Sequence, residues 1–139
     1  MIVDAKIEDL LGKILTKIEV GYDKKEIYFY TSCGKRYSQY HDQNCCEQVL
    51  IEDICGDLDD LIGSPILLAE EVIYDNKVPD VLINNFKETD HDSYSWTFYK
   101  LATINGYVTI RWLGSSNGWY GEEVSMIVED IEENKNLIN

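Results

Sequence analysis

Two runs rich in β-branched and aromatic residues, Trp96-Thr97-Phe98-Tyr99-Lys100-Leu101-Ala102-Thr103-Ile104 and Tyr107-Val108-Thr109-Ile110-Arg111-Trp112-Leu113, are separated only by Asn105-Gly106. That dipeptide between strand-like runs is the strongest short-range hairpin signal, because asparagine and glycine tolerate the positive φ angles of the tight turn. A two-residue turn also fixes register. It sets Ile104 opposite Tyr107, Thr103 opposite Val108, Leu101 opposite Ile110 and Tyr99 opposite Trp112. One face then reads as core. The other carries Ala102 with Thr109, Lys100 with Arg111 and Phe98 with Leu113, and Trp96 beyond. Two cations directly opposite one another destabilise a sheet unless something negative compensates. Either acids of residues 37–76, Glu122 or Glu123 neutralise them, or the pair holds an anion while Trp96 and Phe98 stack a ring.

Strand signals recur upstream. Leu15 to Val20 alternates weakly, and residues 21–26 form a polar turn. Residues 27–31 and 36–40 flank Cys33-Gly34-Lys35 as a second hairpin. Residues 48–54 alternate again, and Pro65 opens a strand over 66–74. Short helices are expected at 5–12 and 57–62, the second stopped by Gly63. Ser115-Ser116-Asn117-Gly118 turns into Trp119-Tyr120 and a last strand through Val128, which makes a C-terminal three-stranded meander with the hairpin. The expected class is α+β, predominantly antiparallel β, in a single domain over 1–139. Residues 75–93 read as a long loop and 130–139 as a frayed tail.

Composition decides which partners to consider. At 45% hydrophobic, 139 residues can bury a core. The formal charge of −14 excludes a binder of bulk nucleic acid. No apolar run approaches the ~20 residues of a membrane span, and Met1 to Glu8 lacks the basic start and apolar run of a signal peptide, so a cytoplasmic location is expected. Residues 37–76 contain no Lys or Arg, and Asp57, Asp59 and Asp60 lie at the centre of that acidic stretch. Such a stretch is a solvated face or a surface that docks on a basic partner.

Cys33, Cys45, Cys46 and Cys55 do not form a secreted disulfide framework, and all four read as reduced thiols. His41, Cys45, Cys46 and Cys55 are possible zinc ligands but lack the paired spacing of a zinc knuckle. A Cys–His nucleophile would need His41 and Cys45 on one helical turn. Asp57-Leu58-Asp59-Asp60 fails as a calcium loop, since Ile62 and Leu68 stand where glycine and a bidentate acid belong. No phosphate-cradling loop, dinucleotide fingerprint or hydrolase motif occurs, so neither cofactor nor metal is expected.

The string Tyr40-His41-Asp42-Gln43-Asn44-Cys45-Cys46-Glu47, continuing as Ile51-Glu52-Asp53-Ile54-Cys55-Gly56-Asp57-Leu58-Asp59-Asp60-Leu61-Ile62-Gly63-Ser64-Pro65-Ile66-Leu67, is distinctive. So are Trp96 to Thr103, Gly106 to Trp112, and Ser116-Asn117-Gly118. Over roughly residues 10–125 the chain resembles a family of short uncharacterised proteins of tailed phages and prophages. The resemblance brings no catalytic residues. It implies a setting in which small acidic accessory proteins block a host factor or absorb a defence signal.

The reading that combines these features is a non-enzymatic, counter-defence accessory protein that sequesters a small anionic, nucleotide-derived signal. Lys100 and Arg111 would hold phosphate, with Trp96, Phe98, Trp119, Tyr120 and Asn117 around the ring. A homo-oligomer is expected, because one sheet face alone makes a shallow pocket. The alternative is an acidic inhibitor that presents Asp57, Asp59 and Asp60 to a basic host protein that handles nucleic acid. A metal- or thiol-dependent enzyme around His41 and Cys45 is the weaker alternative.

Overall fold

A computed structural model describes residues 1–75, 93–118 and 120–131. The expected loop over 75–93 and tail over 130–139 fall almost wholly outside the described residues, as does Trp119. Nine strands are described: β1 (Ile2–Asp4), β2 (Leu15–Val20), β3 (Glu26–Thr31), β4 (Lys35–Tyr40), β5 (Gln48–Cys55), β6 (Leu68–Asp75), β7 (Ser93–Thr103), β8 (Gly106–Ser116) and β9 (Ser125–Asp130). They form two sheets, ordered β1-β9-β4-β3-β2 and β5-β8-β7-β6. Every neighbouring pair is antiparallel.

Alternation explains the packing. From Thr97 to Thr103 on β7 and from Val108 to Ser116 on β8 every second residue is buried, and Tyr99, Leu101, Val108, Ile110 and Trp112 join Ile27 and Phe29 of β3 in one hydrophobic cluster. A strand with one buried face reads this way because successive side chains point to opposite faces.

Three expectations need correction. Predominantly antiparallel β holds, but the helices that would justify α+β are single 3-10 turns, Ile7–Leu10 and Leu58–Leu61. The first cannot extend through residue 12. Gly12 takes φ 80°, its N–H donates to the Ile66 carbonyl at 2.8 Å, and Ile66 N–H returns a bond to Lys13 at 2.9 Å. Pairing between distant segments overrides the local helical pattern. Four residues still suffice to bury Ile7 and Leu10, which share one side of a 3-10 turn.

The second correction concerns the hairpin. Thr103 pairs with Gly106, so Ile104 and Asn105 form the turn, and Phe98 rather than Lys100 faces Arg111. None of residues 104–106 takes a positive φ. The turn is held instead by the Thr103 hydroxyl, which accepts from Asn105 N–H at 3.1 Å and donates to the Asp60 carbonyl, and by Asn105 Nδ2 donating to Ser64 Oγ at 3.3 Å. Gly106 is there for proximity: a Cβ on it would lie 2.5 Å from Asp60 Oδ2. The slip is two residues, so every side chain keeps its expected face.

Third, the C-terminal meander is a two-stranded hairpin. The free edge of β8 is taken by β5, and β9 crosses to the other sheet, where it pairs with β4 and β1. Its approach is shaped by Ser116, whose hydroxyl accepts from Gly118 N–H at 3.0 Å and lies against Glu122.

Candidate ligand-binding site

The outward faces of the two sheets differ in how fully they satisfy themselves. On the first sheet Lys17 Nζ sits 5.3 Å from the Tyr30 ring centre and Arg36 Cζ 5.1 Å from that of Tyr28. The Tyr30 hydroxyl donates to Glu19 at 2.7 Å, and Arg36 pairs with Glu129. Both of these rings are capped by a cation, and each of these cations has a carboxylate partner.

The second sheet leaves a hollow of about 500 Å³ on its outward face, lined by Val72, Tyr74, Trp96, Phe98, Lys100 and Arg111. Register brings these residues together. Tyr74 pairs with Trp96 and Val72 with Phe98 across β6 and β7, and Phe98 pairs with Arg111 across β7 and β8. All six occupy one face because their offsets along each strand are even. Its volume falls within the range of small-molecule sites. Three rings and two cations around one opening suit a planar ligand that carries negative charge.

The two cations are not equivalent. Arg111 Nε donates to Glu52 Oε1 at 2.7 Å, the second guanidinium nitrogen bonds to the same oxygen, and Asp53 Oδ2 lies 3.6 Å away. Its guanidinium carbon is 5.3 Å from the Trp96 ring centre. The Glu52 hydrogen bond keeps this guanidinium charged even above arginine's ordinary range. Lys100 lies across from Glu70 on one side and Thr109 on the other, and forms no ion pair with a described residue. Lys100 is therefore the cation without an acid partner among the described residues, whereas Arg111 is already oriented by acids. The stretch 37–76 does supply the compensation for Arg111 that its sequence position allows.

Of the residues named from sequence, Trp96, Phe98, Lys100 and Arg111 share the hollow. Asn117 and Tyr120 lie past the end of β8 and do not line it. Val72 and Tyr74 were missed, although the alternation of the 66–74 strand puts both on one side. The missing signal was which strand would neighbour β7.

Asp57 and Asp60 have partly internal roles, whereas the Asp59 side chain is exposed. The Asp57 side chain caps the second 3-10 turn by accepting from Asp59 N–H at 3.0 Å, while Asp60 packs against Gly106. Their exposure is unequal, with Asp60 half-buried.

The His41 constellation is structural. Cys45 and Cys46 have their sulfurs at bonding distance as a neighbouring disulfide, where four reduced thiols were expected; Cys33 and Cys55 are free. His41 uses both ring nitrogens, Nε2 on Glu47 at 2.7 Å and Nδ1 on the Glu123 carbonyl at 2.8 Å, which leaves none for a thiol. The hydrogen bond to Asp53 pushes the Cys55 thiol above its ordinary value, the wrong direction for a nucleophile. Among the described residues no group of three or more His, Cys, Asp or Glu is placed to hold a metal ion.

Glu47 has a consequence for acid stability. Burial works to raise its carboxyl, but His41 and the N–H groups of Asn44 and Cys45 outweigh it and hold the group down at about 2. With an ordinary value of 4.5 in the unfolded chain, its contribution is complete above that pH and is lost as pH falls toward 2. Acid titration of the melting temperature should show a shallower loss over this window for Glu47→Gln than for the parent; parallel curves would refute the assignment.

Residues 8–126 match the family described as "Domain of unknown function (DUF7448)", and the chain belongs to it. Comparison with curated proteins and with solved structures gives no match. No helix among the described residues is long and apolar enough to cross a membrane.

Proposed function

We propose that this member of the family is a binding protein, not an enzyme, that captures a small anionic, nucleotide-derived ligand in the hollow of the second sheet. The observation that carries the reading is the clustering of Tyr74, Trp96 and Phe98 beside Lys100 on one outward face. Trp96, with Arg111 already stacked on it, offers a platform for a base, and Lys100 is the cation placed to take a phosphate. Val72 and Tyr74 remain 42% and 59% exposed, so the proposal includes a second copy of the chain closing over the ligand. Disarming a host's signal nucleotide is the role proposed for this capture, and it rests on the resemblance to phage accessory proteins alone.

Isothermal titration of the purified protein against a panel of nucleosides and nucleotides tests the binding. At least one nucleotide should bind, and Lys100→Ala should weaken it about tenfold with an unchanged melting temperature. A panel without a single binder would end the proposal. Light scattering with and without the bound nucleotide checks the second copy, which predicts a doubling of mass.

A further inference from the structure

We infer that the hollow accepts a ligand with no more than one phosphate group, and that Glu52 and Asp53 set this limit; the inference rests on the ring-and-anion reading above. Its origin is a bulge in β5. Ile51 pairs with Trp112 and Asp53 with Arg111, so Glu52 is an extra residue in the ladder. A bulge sets two residues of one strand against one of its neighbour. Here it brings two carboxylates to a single guanidinium, where an unbroken ladder would set only one residue opposite it. Both reach Arg111, Glu52 through two hydrogen bonds to one oxygen and Asp53 at 3.6 Å.

The charge balance follows. Two positive side chains line the hollow, Lys100 and Arg111. Three acids bear on them: Glu52 and Asp53 on Arg111, and Glu70 across the strand from Lys100. The chain as a whole carries −14. A ligand with a single phosphate can set that group against Lys100 and its ring against Trp96 and Phe98. Further phosphates extend into a field that these acids and the whole chain make negative. Glu52 and Asp53 thus orient the guanidinium for stacking and reject highly charged ligands, a selectivity built from a repulsive element.

Calorimetry with one base in its nucleoside, monophosphate and triphosphate forms, without divalent cations and at matched ionic strength, tests the limit. The monophosphate should bind at least tenfold more tightly than the triphosphate. In the Glu52→Gln/Asp53→Asn variant the gap should shrink to about threefold or less. Glu70→Gln, which leaves the Arg111 contacts intact, should narrow it in the same direction and serves if the double variant does not fold. Equal affinities for mono- and triphosphate in the parent, a gap that the folded Glu52→Gln/Asp53→Asn variant does not narrow, or, where that variant does not fold, one that Glu70→Gln does not narrow, would overturn the limit while leaving capture itself standing. A parent that binds none of the three forms would overturn both.

Discussion

Gly56→Ala is expected to destabilise the protein by about 3 kcal/mol, measured by urea unfolding. Gly56 follows β5 at φ 107°, a backbone region that side-chain-bearing residues rarely enter. A Cβ there would also lie 2.5 Å from the Tyr107 carbonyl oxygen and 3.2 Å from Val108 Cα. Both obstacles are backbone, so no rotamer change relieves them. Gly118 separates the two causes. Its φ is 93°, but nothing lies within 4 Å of an added Cβ. Gly118→Ala should therefore show only the conformational cost, about 1 kcal/mol. Equal losses at the two positions would show that proximity to β8 contributes nothing.

Trp96→Ala is expected to weaken nucleotide binding about 10- to 100-fold, the loss of a stacking platform worth roughly 1–3 kcal/mol. Trp96 is half-buried on the outward face and outside the hydrophobic cluster, so the melting temperature should change little. Tyr28→Ala is the matching control, a ring under a cation on the other sheet. It should leave affinity untouched. Fluorescence titration or calorimetry reads both. An unchanged affinity in Trp96→Ala would place the ligand elsewhere and remove the hollow as its site.

Much of this arrangement is legible in the sequence. Alternation alone assigned Tyr99, Leu101, Val108, Ile110 and Trp112 to the core and Trp96, Phe98, Lys100 and Arg111 to the opposite face. That assignment survived a wrong register because the error was an even number of residues. The turn itself was misread because Asn105-Gly106 has two physical uses. Its glycine answers to Asp60, 46 positions earlier in the chain, and not to turn geometry. The same limit applied to β9: its composition declared a strand, but its neighbours depended on β5 having already taken the edge of β8. Glu52 was equally invisible, since nothing in Ile51-Glu52-Asp53 marks a bulge. Local pattern reports which way a side chain faces. Which strand lies alongside is decided by competition among distant segments.

The position of β9 between β1 and β4 also dictates the order of assembly. Among the described residues β1 pairs with no strand but β9, and β4 has one edge unpaired until β9 arrives. The first sheet thus closes only once β9, which follows β5, β6, β7 and β8 in the chain, reaches β1 and β4. The β5-β8-β7-β6 sheet, whose strands are contiguous in sequence, can form earlier. Folding limited by so distant a pairing is slow, on the order of milliseconds to seconds. In that interval the unpaired edge of β4 is open to pairing with a strand from another chain.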